Sequence, residues 1–584
     1  MARTMAMSLC ASAWRRMLCA AVGALALGAQ AKAGELLISQ QLLPGGELEI
    51  RYTPPEGVHE LSFFDAARDA HKRWRGEMMS PQGSCTELTA TGIRLRQEPD
   101  CRSAVLRLKA RVLALDATYE AAQPLSDSSG VLAYSGHAAV LLKGHGLRWR
   151  WLPPQGGIVI HQGRVERAPV EQSASAEQVD RVLAGASRDE VRAVGVAQYV
   201  YMGSSTGLIA LPGVNVLVDP GLDNARVARI RKVLDFTLAR LTQLYGAALP
   251  GPGAVVTAVS DLPGFHGDTT AGRMMRLRLP RTLETMPGTA LEGFVTHEVV
   301  HWWNSGLFGT DQQRPWLHEG HAEWMARLLL REQSLLDAAE LRADIESNLN
   351  NCVAARGAQV AAAMKPGRQG DDAYACGMSL MLLGQAQRTA RDDKLSALAQ
   401  MAPLHSKDRP LDVAAFVAWA DAGSAAASMA QLLQDPQQPF ASGLLARLQA
   451  LGLADPEPVQ RSEQLPLGMR RQSAAALMSA LMRSDCGGAV SFWTVPQAFR
   501  LDPTVQCRSL RVTGEVESLA GQPVLADPVA AYAAVAKACQ GGQPIAVRYA
   551  EGPDTELACP SSLPTPPMNQ MIRLRADALR RLGL

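Results

Sequence analysis

No sign of charge dominates this chain: 58 Lys and Arg stand against 56 Asp and Glu over 584 residues, a formal net of +2. Proteins that grip nucleic acid carry a large, clustered basic surplus, so nucleic acid is not expected as a partner. Past residue 33 no run of about 18 apolar residues occurs, and no membrane-spanning helix is expected after that point. No Cys-x-x-Cys pair is present, which removes the usual cysteine-ligated metal sites. No internal repeat is found, which excludes a solenoid. Charged residues make up 20% and apolar ones 47%, a balance that excludes wholesale disorder. What remains is a large globular protein of three or four domains, at roughly 100 to 200 residues each.

Residues 1–33 hold Arg3, Arg15, Arg16 and Lys32, no acid, and an apolar run from Met17 to Ala29. With Ala29, Ala31 and Ala33 forming an A-x-A site, they read as a secretory signal peptide cleaved near Ala33, which implies a periplasmic or secreted protein without stable membrane insertion. Export would make the eight later cysteines readable. They fall in neighbouring couples, 85 and 101, 352 and 376, 486 and 507, 539 and 559, and the expectation is four local disulfides.

The expected fold class is multidomain. Residues 34–170 alternate apolar and charged residues, as in Leu48-Glu49-Ile50-Arg51-Tyr52 and Leu147-Arg148-Trp149-Arg150-Trp151, and read as an all-β N-terminal domain. The polar stretch from Glu171 to Asp189 reads as a linker or short helix. Residues 190–333 mix strands with a long helix from Ala225 to Tyr245 stopped by Gly246, giving an α+β domain. Residues 334–455 are Ala- and Leu-rich with helical spacing. Residues 465–560 form a small α+β module with two cysteine couples, and 561–584 a Pro-rich connector and Arg-rich tail. Within that module Leu510 to Tyr549 resembles the second half of a PDZ domain, which implies a peptide partner.

The chemistry centres on His297-Glu298-Val299-Val300-His301. On a helix, residues four apart share a face, so both imidazoles can meet one Zn²⁺ ion. Glu298 points about 100° around, where it can reach a water on the metal without ligating it. A catalytic site needs a third protein ligand, and Pro315-Trp316-Leu317-His318-Glu319-Gly320-His321-Ala322-Glu323-Trp324 offers His318, Glu319, His321 and Glu323.

This pair of segments resembles the gluzincin metallopeptidases of the alanyl-aminopeptidase type, whose pattern is HExxH, 18 residues, then the Glu of W-L-x-E-G. Here 319 − 301 = 18, leaving 17 intervening residues, and the missing residue falls in the loop from Ser305 to Arg314. The resemblance implies a thermolysin-like catalytic domain in 190–333, with Glu319 as third ligand; Glu323 reads as an outer partner of a ligand His or as a plain surface or core carboxylate. The resemblance also implies an oxyanion-binding Tyr in a Y-x-x-G segment, matched by Tyr374-Ala375-Cys376-Gly377, a segment that the disulfide expected between Cys352 and Cys376 would hold. The family's G-x-M-E-N edge strand, whose Glu pairs with the substrate's free amine, has its counterpart in Gly272-Arg273-Met274-Met275-Arg276, where Met275 replaces that Glu. A second resemblance is to the glycyl aminopeptidases, through His301-Trp302-Trp303-Asn304 and the domain layout.

The expected activity is therefore zinc-dependent hydrolysis of a peptide or protein substrate through a metal-activated water. Aminopeptidase action is the family expectation, and Met275 keeps a metalloendopeptidase or a non-peptide zinc hydrolase as alternatives. A zinc-stabilised binding or scaffold protein is the reading from a different class; retention of Glu298 counts against it, because a structural zinc has no use for a base.

Overall fold

The computed structural model describes residues 34–64, 75–111, 121–185, 188–261, 266–270, 273–281, 289–311, 313–356, 372–390, 395–406, 409–421, 428–435, 437–459, 462–502, 505–564, 566 and 570–584. The signal-peptide reading and Gly272 lie outside them. The chain divides into two compact units between Thr206 and Gly207.

The first unit is built of sheets. The strand Glu47–Thr53 alternates buried and half-exposed residues along its whole length, and Gly146–Leu152 buries Leu147, Trp149 and Trp151 on its inner face. Period-two burial of this kind makes strands with one solvated face. They belong to a six-stranded mixed sheet ordered 170–174, 146–152, 35–42, 47–53, 104–109, 79–82. A five-stranded sheet and a three-stranded one complete the unit, and Cys85–Cys101 staples it. The stretch read as a linker or short helix holds a short helix and more. Val170–Ala174 is an edge strand, helix α1 (Ala176–Leu183) follows with a Ser175–Gln178 capping box, and α2 spans Arg188–Ala193. The strand Tyr199–Gly203 pairs with Ile158–His161 and Gly130–Tyr134, so the first unit runs to Thr206 and the expected boundary at 190 is too early.

The second unit opens on a five-stranded sheet ordered 208–211, 214–217, 253–260, 274–280, 266–270. Gly253–Ser260 is buried at every position, as a strand covered on both faces must be. Helix α3 (Asn224–Tyr245) is capped by Asp223 and ends at Gly246, whose φ of 58° is a left-handed conformation that glycine adopts without Cβ strain. Helices α4 (Ala290–Asn304), α5 (Pro315–Glu332), α6 (Ala338–Arg356) and α7 (Gly377–Thr389) follow, and their apolar faces join the sheet in one large core.

The sheet corrects one expectation. Met274–Pro280 is not at the edge: it lies between Gly253–Ser260 and His266–Thr270, with Met274 and Met275 fully buried. Its backbone donors and acceptors are spent on two neighbours, and its methionines on the core. Among the described residues the outer strand on this side of the sheet is His266–Thr270, and Leu208–Leu211 is outermost on the other.

The C-terminal residues return to the helical region instead of trailing away. Gln570–Leu574 pairs with Ala454–Pro458, and Ile572, Leu574, Ala578 and Leu582 enter the large core. The α+β module, with helices Leu467–Asp485 and Pro528–Gln540 around a sheet with its own core, is thus inserted between the two strands of a ribbon. Arg342 donates to the carbonyls of Leu574, Arg575 and Ala576, and clips the returning strand to α6. All four expected disulfides are present. Among the described residues no helix is long and apolar enough to cross a membrane.

Candidate metal centre

Two helices meet edge to edge at the site. Helix α4 places His297 and His301 one turn apart, and α5 brings Glu319 against them. His297 Nε2, His301 Nε2 and Glu319 Oε2 form a triangle with sides of 3.0, 3.1 and 3.2 Å. Ligand atoms around a tetrahedral zinc with bonds of about 2.0–2.1 Å lie about 3.3 Å apart, so the three atoms fit one face of such an ion and leave the opposite side open. They are the one all-buried His and carboxylate group of ligating size among the described residues, the other grouping being two disulfide cysteines with Asp485.

The electrostatics ask for a cation at this point. Burial works against a charged His297, yet Glu323 and Glu319 outweigh it and raise the imidazole to about 10. Burial likewise opposes ionisation of Glu319, but the His301 imidazole and hydrogen bonds from His297, His301 and His318 hold its carboxyl well below the usual range. A proton thus sits where carboxylates and imidazoles converge, and metal binding would displace it. Burial raises Glu298 above its ordinary value, with His297 and His301 moderating the effect. A carboxylate so disposed is a stronger base than one in water.

Each ligand is held from behind. Glu323 Oε1 lies 3.1 Å from His297 Nδ1, an ionic contact without good hydrogen-bond alignment, and Glu323 is itself anchored by Arg327, which reaches Asp344 at 2.6 Å. Burial opposes ionisation of Glu323, but Arg327 prevails and lowers it to about 2. Asn304 Oδ1 accepts from His301 Nδ1 at 3.2 Å. The reserve candidates for third ligand are directed elsewhere: His318 Nε2 is 3.4 Å from Glu319 Oε1, and His321 faces Asn304 and His405.

Tyr374 arrives from a different segment. It lies in a π-helical turn, Asp372–Cys376, with its ring centroid 5.9 Å from that of His297. Two constraints hold the turn there. Cys376 is bonded to Cys352 on α6. Gly377 packs backbone to backbone against Gly320: a Cβ on Gly320 would lie 2.1 Å from the Gly377 carbonyl carbon, and one on Gly377 would lie 2.4 Å from Trp316 O. The glycines of the two motifs therefore exist for each other. Gly320→Ala is expected to cost about 3 kcal/mol or more of stability, because neither backbone can yield without moving a helix. Thermal unfolding checks this; an unchanged melting temperature would show that the close approach is not needed.

The edge strand His266–Thr270 supplies a residue that sequence reasoning missed. Asp268 Oδ2 pairs with the fully buried Arg276 at 2.7 Å, while its buried Oδ1 has no hydrogen-bond partner among the described residues. Its charge adds a little to the raising of the Glu298 carboxyl. Arg273 and Met274 lie at the start of the interior strand, Met274 and Met275 are buried, and Arg276 is the one member of that segment directed at the edge strand. Trp302 Nε1 donates to Thr269 Oγ1 at 2.8 Å and fastens α4 to the edge strand.

No family model matches the chain, and no curated protein matches its sequence. Solved structures do. An aminopeptidase N family protein from Idiomarina loihiensis is similar over 94% of this chain and 100% of that one, at 11% identity and a TM-score of 0.54, which shows a common fold. An M1 zinc metallopeptidase from Deinococcus radiodurans aligns over 71% of this chain and 94% of that one, at 13% identity and a TM-score of 0.36. Aminopeptidase A from Legionella pneumophila aligns over 70% and 50%, at 11% identity and a TM-score of 0.36.

Proposed function

We propose, on the premise of that shared fold, that the chain is an exported zinc metallopeptidase that removes residues from free peptide N-termini. The observation that carries the reading is the closed triangle of His297, His301 and Glu319 with Glu298 beside it. Bound there, zinc would supply a Lewis acid that lowers the pKa of water and polarises a carbonyl. Glu298 takes the proton from the attacking water and delivers it to the departing amine. The Tyr374 hydroxyl donates to the oxyanion as it develops.

The free-amine preference rests on Asp268. Met275 is interior and cannot meet substrate, but the edge strand pairs with an extended peptide backbone by strand addition, and the Asp268 Oδ1, buried and without a hydrogen bond among the described residues, suits an ammonium group. Asp268→Asn is expected to lower kcat/KM for free-N-terminal peptides by about 10- to 100-fold, the worth of a charge-assisted hydrogen bond, and to leave N-acetylated peptides unaffected. Equal losses on both substrates would remove Asp268 from amine recognition. The four disulfides support export, since such bonds persist in oxidising compartments. The PDZ-like reading of the inserted module, with a peptide partner, stands on the sequence resemblance.

The deciding experiment is digestion of a peptide library with free and acetylated N-termini, with and without chelator. Chelator-sensitive loss of residues from free N-termini alone is the expected result. Internal cuts would make the protein an endopeptidase, and no cleavage would favour a scaffold.

A further inference from the structure

The ridge of α4 that carries Glu298 also carries Phe294 and Trp302, each four residues from it and on the same face of the helix. Both flanking rings touch the edge strand His266–Thr270. A Cβ added to Gly267 would lie 2.7 Å from the Phe294 ring, so the strand reaches that ring only because residue 267 has no side chain. Two residues on, and on the same face of the strand, Thr269 Oγ1 accepts from Trp302 Nε1 at 2.8 Å. The stretch of strand between these two contacts therefore passes the turn of α4 that presents Glu298.

The bond between Trp302 and Thr269 runs in one direction. An indole nitrogen only donates, so the Thr269 oxygen accepts, and its own hydrogen goes to Met274 O at 3.3 Å. One hydroxyl thus joins α4, the edge strand and the interior strand Met274–Pro280. Trp302 is anchored in its turn: it is fully buried, and its ring lies so close to Gly253 that a Cβ there would be 2.5 Å from it. The indole cannot follow a strand that shifts, and the bond would break instead. On the function proposed above, a peptide backbone adds to the edge strand and Glu298 moves the proton, so the spacing of strand and helix is the spacing of substrate and base. We propose, resting on that reading, that Thr269 and Trp302 are positioning residues: their hydrogen bond holds the edge strand, and with it the bound peptide, where the scissile bond meets the attacking water beside Glu298.

The test is steady-state kinetics of the zinc-loaded full chain on the peptide that the wild-type protein cleaves fastest. Amide hydrogen exchange over residues 266–270 gives a readout independent of turnover. Thr269→Val keeps the side chain's shape and removes the hydroxyl, Thr269→Ser keeps the hydroxyl, and Trp302→Phe removes the donor. Thr269→Val should lower kcat about 10- to 100-fold, the effect of a misplacement of about 1 Å, with KM within about threefold, zinc content unchanged and faster exchange in the strand. Trp302→Phe should do the same, and the double variant should be no slower than the slower single one, because both changes remove one bond. Thr269→Ser should stay within about threefold of wild type in kcat. Wild-type kcat or wild-type exchange in Thr269→Val, a rise in KM with kcat preserved, or losses that multiply in the double variant would overturn the proposal. Should Trp302→Phe fail to fold, the contrast at residue 269 decides alone, and equal turnover in Thr269→Val and Thr269→Ser would overturn it. A wild-type chain that cleaves no peptide would instead defeat the proposed function, and this inference with it.

Discussion

Glu298→Gln is expected to lower kcat by about 10³- to 10⁴-fold while the protein keeps its zinc, the upper part of the range for loss of a general base. Glutamine has the same shape and volume as the side chain it replaces, so the packing of α4 is undisturbed. It cannot accept a proton, and it removes one of the negative charges around the triangle. Three ligands, each with its own support from Glu323, Asn304 or His318, remain to bind the ion. The wild-type carboxylate is suited to the task by its burial, which raises its proton affinity toward the value a base needs near neutrality. Metal content by mass spectrometry together with kcat on a free-N-terminal peptide measures both halves. Near wild-type turnover with full zinc would remove Glu298 from the chemistry, and loss of zinc would give it a structural role instead.

The legible part of this protein is what local geometry dictates. Helical spacing alone puts His297 and His301 on one face, and Gly246 ends the long helix where a left-handed residue was expected. Cysteine couples close in sequence form bonds because short loops close easily. Asn304 was also within reach, since it lies three residues past His301 on the same face. The edge strand was not. Which of two adjacent strands takes the border of a sheet depends on which of them pairs with Gly253–Ser260, a choice made by tertiary packing and not by local pattern, and the methionines drew attention to the interior strand. His405 could not be read either, for it meets His321 across 84 positions. The return of Gln570–Leu574 to Ala454–Pro458 has the same cause: a polar, Arg-rich tail looks solvated until Asp455, Glu457 and Glu346 are found facing its arginines.

Tyr374→Phe is the second large effect, an expected fall of about 10²- to 10³-fold in kcat with KM within about threefold and zinc unchanged. The Gly320–Gly377 contact fixes the distance between α5, which carries Glu319, and the turn that carries Tyr374. The Cys352–Cys376 bond ties the same turn to α6. A π-helical turn held at both ends offers its side chain a fixed direction, and such turns are common at functional sites. The ring therefore stays beside His297 in the Phe variant, 5.9 Å between centroids in the wild type, and only the hydroxyl is lost. A donor aimed at charge that develops in the transition state affects kcat and leaves ground-state binding nearly alone, the magnitude being that of one oxyanion donor. Steady-state kinetics with a matched thermal melt separates the readings. A rise in KM with kcat preserved would make Tyr374 a substrate-binding residue, and a lowered melting temperature with little change in kcat would make it part of the packing.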